Sequence, residues 1–482
     1  MSLQDKLKNN AGSDMYPFHM PGHKRRQHLY DGAVKLPFEL DVTEIEGFDD
    51  LHHPAGVLKE IEDKAAWYFQ VKRAFALVNG STGGILAAIR AMTKPGDRVL
   101  IARNCHRSVY NAVELCRLRP VYIMPEIAEY DGELLNIYGE IDPDKLEKQL
   151  KASPRIRLVV ITSPTYDGMC SDVRRIADIC HTHGARLFVD EAHGGDYVST
   201  AACSSLSRIF FPETSYRSGA DVTVVSLHKS FPSMTQTALL LTSVDALIEP
   251  LQNNLAVFQT SSPSYVLLAS IEYCIECISA TRIPFWEHCV RLQRFYEKAD
   301  KLLHLKLLFN GKSCKHMSSR ILISTTNADL TGYELARLLR EEHHIETEMA
   351  TPDYVLALTS IFDTYEGFER LIKALTAIDR NCRPRTEPKP DYLIKTIPEQ
   401  EFIPSEKYKY TKQTVPLESS EFSISMETVM AYPPGIPCIV PGEEITDEVL
   451  GHIRIIRRLG GNVCFDSFRK QGEDTINTAA EQ

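Results

Sequence analysis

The sequence predicts an α/β protein, a doubly wound and mostly parallel sheet followed by smaller α+β C-terminal domains. Two observations predict it. Seven short apolar runs, "RAFALV", "DRVLIA", "PVYIM", "RLVVIT", "RLFVD", "DVTVVSL" and "ALLLT", recur from about residue 74 to residue 242. Amphipathic stretches such as "DPDKLEKQLKA" and "SDVRRIADICHTHG" lie between them, the second closing on Gly184 as a helix stop. Strands that alternate with helices at this spacing form a parallel sheet covered on both faces, so each strand reads as a continuous apolar run. In such sheets ligands bind beyond the carboxyl ends of the strands, and that edge is where chemistry is expected.

The rest of the chain divides by pattern. A large domain is expected over residues 51–305, its last part from 243 mostly helical. Residues 306–380 mix short strands ("SSRILIST") with helices ("GYELARLLREEHHI") and read as a small α+β domain. Residues 381–412 are rich in proline and charge and poor in periodicity, which suits a linker or an extended arm. Residues 413–482 form a last domain with a closing helix and a tail that reads as frayed after about 470.

Composition narrows the function. The net charge of -10 argues against nucleic acid as a partner and favours a small metabolite. No window approaches the roughly 18 uninterrupted apolar residues of a membrane span. The polar start "MSLQDKLKNNAGSD" has no apolar signal region, so a cytoplasmic protein is expected. The 12 cysteines, spread along a long chain, read as reduced and mostly buried thiols and not as a disulfide framework. The lone CxxC, Cys274 and Cys277, lies in a helical pattern with no second pair and reads as packing; no metal site is expected.

Three features stand at the predicted ligand edge. In "LVNGSTGGILAAI" a strand breaks at Asn79 and Gly80, passes Ser81 and Thr82, and enters a helix. Amides at a helix start, with two hydroxyls and flanking glycines, suit a phosphate; an ordinary N-capped turn is the bland alternative. In "RLFVDEAHGGD" Asp190 puts a carboxylate at a strand end, where a turn residue would equally serve. In "DVTVVSLHKS" the strand runs into Ser226, His228 and Lys229, although an unpaired ammonium in an apolar site is costly. Together a phosphate cradle, a strand-end carboxylate and a strand-end lysine are what pyridoxal 5'-phosphate requires. The lysine forms a Schiff base, the carboxylate keeps the pyridine nitrogen protonated, and hydroxyls and amides hold the phosphate. A free lysine there has its pKa lowered by desolvation, which fits it for proton transfer.

With these residues the chain resembles the fold-type I pyridoxal-phosphate decarboxylases of ornithine, lysine and arginine, in the shorter form common in Gram-positive bacteria. The matching segments are "PFHMPGHK" (17–24), "DVTEIEGFDDLHHP" (41–54), "VNGSTGGI" (78–85), "RNCHRSV" (103–109), "SPTYDG" (163–168), "VDEAHG" (189–194), "SLHKS" (226–230), "QTSSPSY" (259–265) and "AYPPGIPCIVPGE" (431–443). They span nearly the whole chain. The resemblance implies an aspartate-aminotransferase-like large domain, an N-terminal segment 1–50 that contributes to the active site, and a decarboxylase C-terminal domain. It implies Lys229 as the Schiff-base lysine, Asp190 beside the pyridine nitrogen and His106 stacked on the ring. Ser81, Thr82, Ser226 and His228 would hold the phosphate, Ala192 would pack on the other ring face, and His193 would sit at its edge. Thr260 would reach in from a neighbouring subunit, making a twofold homodimer the minimum assembly.

The implied reaction is decarboxylation of a basic amino acid to an amine of polyamine metabolism, with arginine favoured over lysine and ornithine. The substrate's distal cation should meet carboxylates or aromatic rings, and the candidates are Glu44, Glu46, Asp49, Asp50, Glu427 and Tyr432. Some positions depart from the family pattern: "STGG" lacks one hydroxyl near the phosphate, Arg107 stands where lysine is common, and the run after "DEAHG" differs. An aspartate and lysine pair does not alone fix the reaction, so an aminotransferase, an aldolase or a non-catalytic paralogue stays open here.

Overall fold

The computed structural model describes residues 1–13, 36–195, 209–280, 283–309, 315–432, 435–467 and 474–480, together with Pro21 and Leu206. The "PFHMPGHK" segment therefore lies outside the described residues, apart from Pro21. Each of the seven apolar runs is a strand, and all seven join one sheet. Across the sheet the order is Arg73–Leu77, Ala238–Thr242, Val222–Ser226, Arg186–Asp190, Ile156–Thr162, Arg98–Ala102 and Arg119–Ile123. Only Ala238–Thr242 runs antiparallel to its neighbours.

Strand alternation divides the apolar residues between two cores. Phe75 and Leu77 face one core with Val224 and Leu240, whereas Ala74 and Ala76 face the other with Val225, Leu239 and Leu241. Helices cover both faces, and the two predicted amphipathic stretches are among them. Pro143–Ala152 is capped by Asp142, which accepts from the Asp144 amide, and Val173–Thr182 by Asp172, which accepts from the Arg175 amide. Gly184 closes the second at φ 71°, a conformation that favours glycine. Residues 243–305 are helical as expected, over Asp245–Phe258, Tyr265–Ala280 and Ile283–Ala299.

The small domain is a four-stranded antiparallel sheet backed by Gly332–His343 and Tyr365–Asn381. The proline-rich segment after it lies extended against the large domain. Tyr392, Leu393, Ile394 and Phe402 are buried, and the Tyr138 hydroxyl donates to the Ile394 carbonyl at 2.8 Å. The last domain carries the helix Asp447–Arg458 on short sheets. Its tail departs from expectation: Thr475–Ala479 is a strand, not a frayed end. It pairs with Lys412–Pro416, and Ile476 is fully buried beneath it. One cysteine departs as well: among the described residues Cys289 is disulfide-bonded while nine others are free. Cys274 packs in the core, as the helical pattern implied. Among the described residues no helix is long and apolar enough to cross a membrane.

Candidate active site

The turns that follow the parallel strands meet at one edge of the sheet. Strands Arg186–Asp190 and Val222–Ser226 are parallel neighbours with Asp190 opposite Val224, so the residues just beyond Ser226 curl over Asp190. Lys229 lies in the single helical turn Leu227–Ser230, and its Nζ is 2.8 Å from His193 Nε2. Burial pushes the Asp190 carboxyl above its ordinary range and the Lys229 amine below its own; in each case the other's charge opposes the shift without reversing it.

His193 is buried, and burial holds its pKa well below the ordinary value, reinforced by the positive charges of Lys229 and Arg320. It is therefore neutral, and Nε2 can accept from the lysine ammonium. Its ring meets Tyr166 at a centroid distance of 4.6 Å, and its Nδ1 is buried without a hydrogen-bond partner among the described residues. His106 heads the helix Arg107–Leu115, where its Nδ1 accepts from the Ser108 amide. A neutral ring that accepts at Nδ1 carries its proton on Nε2. Burial first, then the charge of Lys229, pushes its pKa down to about 4.

The predicted cradle opens the helix Gly80–Met92. Asn79, at the N-cap, caps nothing with its side chain, which donates instead to the Phe258 carbonyl at 3.0 Å. Gly80, at φ 68°, turns its amide to the Gln236 carbonyl. The amides and hydroxyls of Ser81 and Thr82 are left without partners among the described residues, as a helix start awaiting an anion would be. Ser226 Oγ is fully buried and also unpartnered. His228 spends Nδ1 on the Thr237 carbonyl at 3.1 Å, and its Nε2 remains.

These residues fit pyridoxal phosphate. The Asp190 carboxylate accepts one hydrogen bond, from the Ala192 amide at 3.1 Å, and its other oxygen has no partner among the described residues. A buried carboxylate in that state calls for a charged N–H donor such as a pyridinium nitrogen. The orphaned Ser226 hydroxyl and the uncapped helix start suit the phosphate, and the buried amine of Lys229 suits the aldehyde.

Comparison with known proteins agrees. Residues 2–319 match the Orn/Lys/Arg decarboxylase major domain, and residues 393–463 match the C-terminal domain of the same family. The chain belongs to the Orn/Lys/Arg decarboxylase family. It is 30% identical over 474 residues to the arginine decarboxylase of Bacillus subtilis, covering 94% of this chain and 92% of that one. It is also 30% identical over 467 residues to the arginine decarboxylase of Halalkalibacterium halodurans, covering 92% and 90%. Among solved structures, the lysine decarboxylase of Francisella novicida superposes with a TM-score of 0.80 at 18% identity, covering 99% of this chain and 81% of that one. An alanine–glyoxylate aminotransferase from Nostoc superposes with a TM-score of 0.53 at 16% identity, covering 68% and 88%, a likeness of fold alone. The protein is thus a pyridoxal-phosphate-dependent decarboxylase of a basic amino acid.

The remaining predicted residues of the decarboxylase fall in several places. Tyr432 is 56% exposed, and its ring lies beside Gly435, which also neighbours His106, so it stands at the mouth of the site. Asp49 accepts from the amides of Asp50, Ala55, Gly56 and Leu58 and closes the loop before the helix Val57–Phe69. Burial raises its pKa, but those four amides together hold it below the ordinary value. Asp50 accepts from the His52 amide and from His53 Nδ1. Glu44 and Glu46 are exposed. Glu427 is buried in the last domain, where it accepts from the amides of Asn477 and Ser467. Thr260 is exposed, and its carbonyl lies 2.9 Å from His52 Nε2. None of these carboxylates is hydrogen-bonded to Lys229, His193 or His106. Arg107, the departure from the family's lysine, reaches Asp466 of the last domain at 3.3 Å.

Two groups that the sequence reading missed come from the small domain. Glu348 accepts from the Tyr166 hydroxyl and lies near enough to Lys229 for its charge to favour the protonated amine. Arg320 is fully buried behind His193 and Ser230, donating to the His193 carbonyl and to Ser230 Oγ.

Proposed function

We propose that this decarboxylase acts on arginine and releases agmatine and CO2, with Lys229, Asp190 and His106 as its cofactor-handling residues. Pyridoxal phosphate, when bound, supplies the electron sink for the pair left on Cα as CO2 departs. Asp190 supplies the fixed negative charge at the ring nitrogen. Ser81, Thr82, Ser226 and His228 would anchor the phosphate, while His106 and Ala192 would flank the ring. Lys229 and His193 hold one proton between Nζ and Nε2 and deliver it to Cα, so each turnover consumes one solvent proton.

The observation that carries the substrate reading is the Glu348 and Tyr166 pair. One Glu348 oxygen accepts from Tyr166, and the other has no partner among the described residues. A carboxylate beside a phenol, with the Tyr432 ring at the mouth, suits a planar guanidinium; a lysine ammonium would use the carboxylate as a point charge only. The arginine decarboxylases of two bacilli, alike over nearly the full length, support the same choice. Glu44, Glu46, Asp49 and Asp50 remain the candidates for a second, outer layer of negative charge that draws the cation in. The working form is a cytoplasmic homodimer, with Thr260 lent across the twofold axis.

The test is CO2 trapping from carboxyl-labelled arginine, lysine and ornithine with the purified holoenzyme. Arginine should give the highest kcat/KM, and Glu348→Gln should raise KM for arginine by roughly tenfold, the value of one charge-assisted hydrogen bond. Faster turnover of lysine or ornithine, or keto acid without CO2, would overturn the reading.

A further inference from the structure

Arg320 heads the strand Arg320–Ser324, an inner strand of the small sheet, and is the largest fully buried side chain among the described residues. Its strand belongs to the small domain, yet its guanidinium ends in the large one. Nη2 donates to the His193 carbonyl and, at 3.1 Å, to Ser230 Oγ; Nη1 donates to Ser319 Oγ at 3.1 Å. His193 is the residue that holds the Lys229 amine, and Ser230 follows Lys229 in the chain. The guanidinium thus grips the lysine from both sides without touching it.

The stem of Arg320 is gripped in turn. Gly168 has φ 94°, and a Cβ there would stand 2.8 Å from Arg320 Cβ and 3.0 Å from His316 Nε2, so only glycine leaves room. The same seam is stitched by backbone: the Met317 amide donates to the Gly168 carbonyl and the Cys170 amide to the Lys315 carbonyl, each at 2.8 Å. His316 Nε2 lies 2.9 Å from the Asp167 carbonyl. A buried charge is costly, and an apolar side chain of the same volume would fill the space more cheaply. What an apolar side chain cannot do is hold a carbonyl on one loop and a hydroxyl on another with a single rigid fork.

We propose that Arg320 is a positioning residue that fixes His193 and Ser230 about Lys229, so that the seating of the small domain sets where the reactive amine stands. This rests on the reading of Lys229 as the cofactor-bearing lysine. The charges around that amine are Asp190 and Glu348 on the negative side and Arg320 on the positive side, with the neutral rings of His193 and His106 beside it and His228 on its own turn.

The experiment uses the holoenzyme carrying Arg320→Met, Arg320→Lys or Ser230→Ala. Each is measured for melting temperature, kcat, KM, and the pH midpoint of the visible absorption band of the lysine-bound cofactor. Arg320→Met should lower kcat roughly tenfold or more with KM changed less than about threefold, and should move the midpoint upward because a cation beside the amine is gone. Arg320→Lys keeps the charge, so its midpoint should stay near that of the parent while kcat still falls. Ser230→Ala removes one acceptor of the fork and should lower kcat by roughly threefold to tenfold. Unchanged kcat in Arg320→Lys and Ser230→Ala, or an effect on KM alone, overturns the proposal. If Arg320→Met does not fold, Ser230→Ala decides by the same criterion. Failure of the underlying reading is distinct: the parent protein would then lack the visible band.

Discussion

Arg103 and Glu443 form a buried ion pair at 2.8 Å, with side chains 5% and 0% exposed, across the junction of the large and last domains. Arg103 opens the turn that carries His106. Its guanidinium also donates to the Tyr110 hydroxyl and to the carbonyls of Pro437 and Cys438, while Glu443 accepts in addition from the Val440 amide. Arg103→Met leaves a buried carboxylate with one donor and two carbonyls without theirs. Glu443→Met leaves a buried cation with only neutral acceptors. Removing one partner of such a pair costs about 3–5 kcal/mol, so independent effects would sum to about 6–10 kcal/mol. In the double methionine variant no charge is stranded, and the residual loss is that of a few neutral hydrogen bonds, about 1–3 kcal/mol each where an acceptor stays buried. The double variant should therefore be no less stable than either single one, a coupling of about 3–5 kcal/mol. Urea unfolding of all four proteins, followed by circular dichroism, measures it, and hydrogen exchange over residues 429–465 locates the transition. Strict additivity would refute the reasoning, for it would mean the pair is wet and screened.

Asp190→Asn should keep the visible cofactor band but lose rate. Opposite-charge stabilisation of a ring nitrogen is worth about 1–3 pKa units, or about 1.4 kcal/mol per unit, so kcat should fall roughly 10- to 1000-fold; a variant with full kcat and weaker cofactor binding alone would contradict this role. Lys229→Ala should abolish the visible band formed by covalent linkage, and a persisting band would place that linkage elsewhere. Stability should fall in acid, as melting temperature against pH will show. Burial pushes His106 to about 4 and His288 and His316 to about 3, below the ordinary 6.5, so unfolding takes up protons there and stability present above 6.5 is lost as pH falls toward those values. Glu62 and Asp167, raised by burial to about 7 and 6, act in the opposite sense, being most favourable at low pH and losing stability as pH rises through those values. The carboxyl gain is complete near pH 4 while the histidine loss continues, so the net acid slope should steepen there and flatten in His288→Gln; equal slopes in the two proteins would exclude the histidine as its source.

The closeness of Lys229 and Asp190 was legible because it is a property of the sheet. A lysine and an aspartate that each end an apolar run must meet if their strands are parallel neighbours, and the pairing of Asp190 with Val224 brings them together. The turn at Ser81 and Thr82 was legible for a local reason, an apolar run that breaks at Asn79 and Gly80 and opens a helix. The acidic stretch 41–50 drew attention by composition alone, and composition could not reveal that Asp49 is committed to four backbone amides. The tail strand escaped because "TINTA" has a single large apolar residue and is held by its ladder with Lys412–Pro416.

Glu348 and Arg320 were missed for a physical reason. Each reaches the site from a domain folded from later sequence, and neither has a local period to mark it. Glu348 is one acid among several in "REEHHIETE" and is singled out only by its contact with Tyr166. Arg320 did leave a trace, the same oddity as Lys229: a cation set against an apolar strand, in "SSRILIST". The residues proposed to handle the cofactor thus lie on the large sheet, while Glu348 and Arg320, proposed to meet the substrate and to position the lysine, come from the small domain. Substitutions around Glu348 should then alter which cation is accepted while leaving the Asp190 and Lys229 pair untouched, whereas substitutions at Arg320 should alter rate for every substrate alike.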